Sequence, residues 1–281
     1  MKKFLLYTNP HKDPHLRMTD SVAALITGGG GEVLRPPEAA HDDLSAHMSE
    51  LLPLIRKADV IVTLGGDGTI LRIAGAAAEA EKPILGINLG RLGFLTEIEA
   101  SEIDLICQKL LPGKYTVDTR MMAHTSIERG SETLYHGLSL NDAVVTNGER
   151  ARIVALKLWA DGHLLTALKG DGVIVATPSG STAYSLAAGG PVIAPHADVL
   201  TVTPVCAHGL GAKSFVLPGD STVYIENVTE GEKAAYLTVD GRQTIALALG
   251  DRVKIVKSRR KCLLIRLKNR NFYDIVSEKL G

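Results

Sequence analysis

Gly65-Gly66-Asp67-Gly68-Thr69 follows the most continuous apolar run of the first part of the chain, Val60 to Leu64, and precedes a helical pattern. Ligands of open α/β sheets bind at the carboxyl ends of strands. Glycines there let backbone N–H groups approach phosphate oxygens, and a helix N-terminus adds a favourable partial positive charge. Gly65, Gly66, Gly68 and Thr69 are therefore the candidate phosphate-binding loop. The carboxylate of Asp67 would repel phosphates unless a divalent cation or a proton transfer gives it a role. Beside an alcohol it can orient the hydroxyl and accept its proton while Mg²⁺ neutralises the phosphates. A turn aspartate is the other reading of this string taken alone. The string is neither the Walker pattern GxxxxGKS/T nor the dinucleotide fingerprint GxGxxG.

A second string runs from Lys169 through Gly170, Asp171 and Gly172 to Thr177-Pro178-Ser179-Gly180-Ser181-Thr182-Ala183-Tyr184-Ser185-Leu186-Ala187 and ends at Pro191. It reads as a strand, a Pro-Ser-Gly turn and a helix start near Gly180. Ser179, Ser181 and Thr182 are all able to cap that helix, and capping explains one of them. Three hydroxyls and Tyr184 around one glycine turn exceed a cap and suit a base edge and a ribose read by hydrogen bonds. Between the two strings lies Ser139-Leu140-Asn141-Asp142, an Asn-Asp turn on its own residues.

Together with Gly86-Ile87-Asn88-Leu89-Gly90-Arg91-Leu92-Gly93-Phe94-Leu95-Thr96, these strings resemble the NAD kinases. Lipid kinases and phosphofructokinases share only the glycine-aspartate element. The resemblance runs from the Asn-Pro near the N-terminus to Ser277-Glu278-Lys279-Leu280-Gly281, essentially the whole chain. It implies transfer of a phosphoryl group from ATP with Mg²⁺ to the 2′-hydroxyl of NAD, with Asp67 as proton acceptor. It implies that Asn141 and Asp142 hold the dinucleotide's hydroxyls; the family shows glutamate where Asp142 stands, one methylene longer. Arg72, Arg152 and Lys169 fall where the family presents polar or basic groups to substrate, and Asp171 where a carboxylate meets the nicotinamide side. Asp67, Gly68 and the Thr182 to Ala187 segment complete the NAD set. Val239-Asp240-Gly241-Arg242 stands where the family often has Asp-Gly-Gln, making Arg242 a substituted contact or Gln243 a shifted one, against a plain hairpin turn. Homodimers or homotetramers are implied as well. The rival readings are a lipid kinase that reuses the glycine element and an NAD-binding sensor without transfer activity.

The elements needed to position these residues follow from periodicity. Lys3 to Thr8, residues 32–35, 60–64 and 83–88 read as strands, alternating with helices that end at the glycines 28–31, lie near 43–56 and span Thr69 to Ala80. That alternation predicts a Rossmann-like, phosphofructokinase-like parallel sheet covered on both faces. The Gly28 to Gly31 run follows a helix and so reads as a helix stop. After about residue 115, β-branched segments separated by turn signals predict an all-β sandwich. The expected domains are 1–117, with a C-terminal helix 270–281 packing back on it, and 118–269, with a cleft between them. Asp161-Gly162 reads as a turn only, and Trp159 as a residue packed between strands.

Composition narrows the class. The chain has 281 residues, 45% of them hydrophobic and 22% charged, which suits a globular protein with a sizeable core. Its 31 basic and 31 acidic residues cancel, leaving no global field for a nucleic-acid backbone or an anionic membrane. Cys107, Cys206 and Cys262 form no CxxC pair, and His11 and His15 lack HExxH context. No residues are therefore assigned to a resident metal. The apolar run at the N-terminus is too short for a signal peptide, and no stretch reaches a membrane span. The expected compartment is the cytoplasm.

Overall fold

The computed structural model of the chain describes residues 1–37, 44–91, 93–148, 153–208, 213–230, 235–242 and 244–280, with side chains of 44–47 excepted. Two compact units are formed, Met1–Arg120 with Arg260–Gly281, and Met121–Arg259.

In the first unit the chain runs through β1 (Lys3–Thr8), α1 (Arg17–Gly28), β2 (Glu32–Leu34), α2 (Leu44–Lys57), β3 (Val60–Gly65), α3 (Asp67–Glu79), β4 (Ile84–Asn88) and β5 (Ile98–Glu99). Strands β2, β1, β3, β4 and β5 pair in that order, every pair parallel. β3 is buried along its whole length, as expected of a strand covered on both faces and built from β-branched and apolar residues. The core gathers Phe4, Leu6, Val62, Leu64, Leu85 and Ile87 from the sheet with Val22 and Ile26 from α1. The glycines after α1 act as a stop: Gly29 N–H donates to Leu25 O at 3.1 Å, Gly31 N–H to Ile26 O at 2.8 Å, and Gly30 sits at φ 82°.

The second unit contains most of β6 (Thr116–Arg129) and β7 (Glu132–Ser139), β8 (Asp142–Thr146), β9 (Val154–Ala160), β10 (His163–Gly170), β11 (Gly172–Ala176), the single helical turn α4 (Tyr184–Ala187), β12 (Val199–Val205), β13 (Phe215–Pro218), β14 (Val223–Asn227), β15 (Ala235–Val239), β16 (Thr244–Leu247) and the start of β17 (Arg252–Arg266). One antiparallel sheet has the order β13-β12-β11-β8-β15-β16. A second joins β10, β9, β14 and β17, also antiparallel. Their inner faces share one core, with Val145, Val173, Val175, Val202 and Leu237 from the first sheet and Leu156, Leu158, Ile225, Val253 and Ile255 from the second. That is a β-sandwich.

The expected helix at Gly180 is shorter than its sequence pattern. A 3₁₀ turn over Gly180–Thr182 is separated from α4 by Ala183 at φ −106°, ψ −127°, and no side chain caps either. The chain closes with α5 (Phe272–Leu280), after β17 has brought Leu264 beside Ile84 of β4 in parallel register.

Candidate active-site elements

The first element lies at the carboxyl ends of β1, β3 and β4. β3 ends at Gly65, Gly66 is extended (φ −153°, ψ −169°), and α3 begins at Asp67. The N–H groups of Asp67 and Gly68, in the first turn of α3, have no intrahelical acceptor and so form a small anion-facing array. Thr69 is buried; its hydroxyl accepts from Gly66 N–H at 3.3 Å and its own N–H donates to Gly66 O at 2.9 Å. Thr69 thus braces the turn rather than presenting its hydroxyl to a ligand.

Asp67 points toward the loop after β4. Its carboxylate accepts N–H bonds from Phe94 at 2.7 Å and from Leu95 and Thr96 at 3.1 Å each. This approach requires glycine at 93, because a Cβ there would lie 1.8 Å from Asp67 Oδ1. Gly93 N–H instead donates to the Thr96 hydroxyl at 3.1 Å. A carboxylate offers about four lone-pair positions. Three amides fill three of them and fix the plane of the fourth. Arg72, one turn into α3 from Asp67, is exposed and lies beside the buried Tyr7 hydroxyl, whose titration burial raises and Arg72 lowers.

The second element belongs to the other unit. The segment Leu140-Asn141-Asp142 is held by one buried carboxylate: Asp240 accepts N–H bonds from Leu140 at 2.8 Å, Asn141 at 2.8 Å and Asp142 at 3.1 Å. The Pro-Ser-Gly turn packs on the same segment. Thr177 N–H donates to Asn141 O at 2.8 Å, the Thr177 hydroxyl donates to Leu140 O at 2.5 Å, and a Cβ on Gly180 would meet Asn141 O at 2.1 Å. Asn141 is left with a buried Oδ1 that has no hydrogen-bond partner. Asp142 is buried, and desolvation, with the nearby Asp240 charge second, pushes its carboxyl up to about 7. Asp240 itself is raised by burial, against the three amides and Arg242.

Of the hydroxyls expected to read the dinucleotide, two are turned into the fold. Ser181 donates to Pro178 O at 2.7 Å and accepts from Ile193 N–H at 3.0 Å, while Ser185 shares a 2.9 Å hydrogen bond with Thr203. Both are fully buried. Thr182 is half-buried, with its hydroxyl on Ser179 O at 3.2 Å, and Tyr184 is exposed. Ala183 and Leu186 are half-buried and Ala187 exposed. The Tyr184 hydroxyl is raised by burial first, then by the charges of Cys206, Asp171 and Asp142. Asp171 accepts from Asn147 Nδ2 at 3.1 Å. Lys169 is exposed, and its carbonyl accepts from His208 N–H at 2.7 Å. Arg242 reaches back to Leu138 O at 2.5 Å and Val239 O at 3.4 Å. Arg152 and Gln243 lie outside the described residues.

Comparison with known proteins gives this geometry its family. Residues 36–115 match the model of the ATP-NAD kinase N-terminal domain, and residues 140–267 match that of the ATP-NAD kinase C-terminal domain. The chain belongs to the NAD kinase family. An NAD kinase of Caldanaerobacter subterraneus subsp. tengcongensis is 38% identical over 281 residues, covering 100% of this chain and 99% of the relative. One from Moorella thermoacetica is 44% identical over 223 residues, 79% of this chain and 71% of the relative. Among solved structures, yeast NADH kinase complexed with NADH superposes with a TM-score of 0.85 at 24% identity, covering 100% of this chain and 88% of that one. An NAD kinase from Archaeoglobus fulgidus in complex with ATP gives a TM-score of 0.76 at 25% identity over 99% and 98% of the two chains. A lipid kinase sharing only the glycine element would leave the match over 140–267 unexplained.

Within this NAD kinase fold, two roles were not visible as motifs. Asp240 sits at φ 49° before Gly241 at φ 63°, the geometry of a type I′ hairpin turn. The turn alone accounts for the residue pair, so nothing nearby in sequence signals the three amides about 100 positions earlier. Gly93 stands in the glycine-rich string after β4, but its closeness to Asp67 exists only in the fold.

Proposed function

We propose that the chain phosphorylates the adenosine 2′-hydroxyl of NAD with ATP, giving NADP and ADP, and that Asp67 accepts the hydroxyl proton. The observation that carries this reading is the Asp67 carboxylate, held by Phe94, Leu95 and Thr96 N–H beside the unpaired amides at the start of α3. Fixing three acceptor positions leaves one for the alcohol. A hydroxyl bonded there has its proton directed at Asp67 and its lone pair free for in-line attack on the γ-phosphorus. Gly65, Gly66 and Gly68 let the backbone approach the phosphates, and the first amides of α3 take their negative charge.

Among the described residues no three His, Cys, Asp or Glu side chains gather into a metal cluster. Magnesium is assigned to the Mg–ATP substrate, where it would neutralise charge on the phosphates. Asn141, Asp142 and Asp171, with Tyr184 and the backbone of Thr182 to Ala187, are the proposed NAD-binding groups. The buried, unpartnered Asn141 Oδ1 supports this, since an orphaned acceptor at that depth needs a donor such as a ribose hydroxyl. Ser185 contributes through its place in the turn, and Arg242 through its hold on the Leu138 and Val239 carbonyls. Arg72, Lys169 and Arg152 are proposed as substrate contacts on the family resemblance.

No described helix is long and apolar enough to cross a membrane. Three free cysteines, two of them exposed, support a reducing compartment, and we assign the cytoplasm. A homodimer or homotetramer is proposed on the resemblance, and the domain limits 1–117 and 118–269 stand on the same footing.

The test is NADP formation from NAD, ATP and Mg²⁺ by the purified protein, compared with Asp67→Asn. We expect turnover to fall about 10² to 10⁴-fold in the variant while NAD binding persists. Full turnover in the variant would exclude the proton-acceptor role, and no product from the wild type would leave an NAD-binding protein without transfer activity.

A further inference from the structure

The loop between β1 and α1 brings a cation to the glycine turn. Asn9 N–H donates to Leu64 O at 2.8 Å, which ties the loop to the end of β3, and Asn9 O accepts from Lys12 N–H at 3.0 Å and Asp13 N–H at 3.1 Å. Asp13 is buried and anchors the loop's far side: its carboxylate accepts from Met18 N–H at 3.0 Å, Thr19 N–H at 2.9 Å and the Thr19 hydroxyl at 2.7 Å. With both flanks fixed, Lys12 projects over the turn. A methyl built on Gly66 would lie 2.8 Å from Lys12 Nζ, and one built on Gly90 3.7 Å from it.

The same methyl on Gly66 would lie 4.0 Å from Asn88 Oδ1. Asn88 is 2% exposed. Its amide donates to Gly90 O at 2.7 Å, and its Oδ1 is buried without any hydrogen-bond partner. An acceptor left open at that depth is costly unless a ligand or its hydration fills it. Three strand ends therefore meet at Gly66: β1 supplies an ammonium, β3 the free amides of α3, and β4 an unfilled acceptor. An ammonium and helix amides bind phosphate oxygens, and Asn88 Oδ1 suits a water that hydrates the phosphate.

We propose that Lys12 is the cation that binds the phosphates of the phosphoryl donor at this turn, with Asn88 fixing the water beside them. The inference rests on the kinase reading above and adds a binding residue outside the glycine loop. The recognised chemistry is a polyphosphate chain, whether carried by a nucleotide or inorganic.

Lys12 is exposed, so its substitution leaves the core intact. In Lys12→Gln we expect the KM for ATP to rise about tenfold or more, with the KM for NAD within twofold of wild type and an unchanged melting temperature. Lys12→Arg restores most of the ATP affinity. Calorimetric binding of inorganic tripolyphosphate without NAD weakens in parallel in Lys12→Gln. If inorganic polyphosphate also serves as a donor, its KM rises with that of ATP in Lys12→Gln; a polyphosphate KM left unchanged there would count against the proposal. An unchanged KM for ATP, an equal rise for NAD, or no tripolyphosphate binding by the wild type would each overturn the proposal. A wild type that binds tripolyphosphate through Lys12 yet makes no NADP would sink the kinase reading and leave this site standing.

Discussion

Asp240 Oδ1 accepts the N–H of Asn141 at 2.8 Å across 99 positions of sequence, from the far side of a hairpin turn. The same carboxylate takes Leu140 and Asp142 N–H, and Arg242 Nη2 lies 3.8 Å from it. A buried carboxylate bonded by three amides holds the segment that carries both Asn141 and Asp142. In Asp240→Asn one oxygen is replaced by an NH₂ group that meets N–H donors. We expect a loss of about 2 to 3 kcal/mol in stability by urea denaturation and a raised KM for NAD, with the KM for ATP unchanged.

Gly93→Ala tests the other carboxylate. Its Cβ would fall 1.8 Å from Asp67 Oδ1, so either the loop or Asp67 must move. A shift of about 1 Å in a positioned catalytic group costs about 10²-fold in rate. The expected result is a fall in kcat of that order with NAD affinity retained. Gly28→Ala, with nothing within 4 Å of its Cβ, serves as the control and should be close to wild type.

The parallel sheet was legible because β1 and β3 are short apolar runs followed by helical patterns, with a further apolar run at β4, an alternation that covered parallel strands produce. The sandwich was legible from turn residues such as Asp161-Gly162, at φ 50° and 83°. What the pattern could not show was the direction of individual side chains. Ser181 and Ser185 look like ligand-reading hydroxyls in a glycine-rich string, yet both satisfy buried backbone or hydroxyl groups. Hydroxyls near a turn are used wherever a donor is unpaired, and that is decided by three-dimensional packing. Lys12 was unreadable for the reverse reason: it is 54 positions from Gly66, and only the shared strand-end edge brings them together.

Glu97 ties the C-terminal segment to the parallel-sheet unit. Its carboxylate accepts Leu267 N–H at 2.8 Å and Lys268 N–H at 2.7 Å, and Arg266 Nη1 lies 3.2 Å from its second oxygen. Glu97 is 7% exposed. Removing it leaves two amides without their acceptor and takes one of two carboxylates from Arg266, which Asp118 still holds at 2.9 Å. Glu97→Ala is expected to cost about 2 to 3 kcal/mol and to make residues 268–280 more susceptible to limited proteolysis. Melting curves and mass mapping of the first cleavage products check this.

Asp142 gives the protein a pH dependence near neutrality. Its carboxyl, buried and beside Asp240, is raised to about 7 from an ordinary value of 3.8. The folded state therefore holds this proton more tightly than the unfolded chain does. Its contribution to stability is fully present below pH about 4, declines as the unfolded carboxyl ionises, and is lost by pH about 7. Asp142→Asn should remove that decline, so the variant gains on the wild type by a few kcal/mol between pH about 4 and 8. Function moves in the opposite direction. A protonated Asp142 has lost an anionic acceptor for a ribose hydroxyl, so the KM for NAD of the wild type should fall as pH rises through 7. In Asp142→Asn the KM for NAD should be higher at pH 8 and flat across that interval, which steady-state assays at fixed saturating ATP would register.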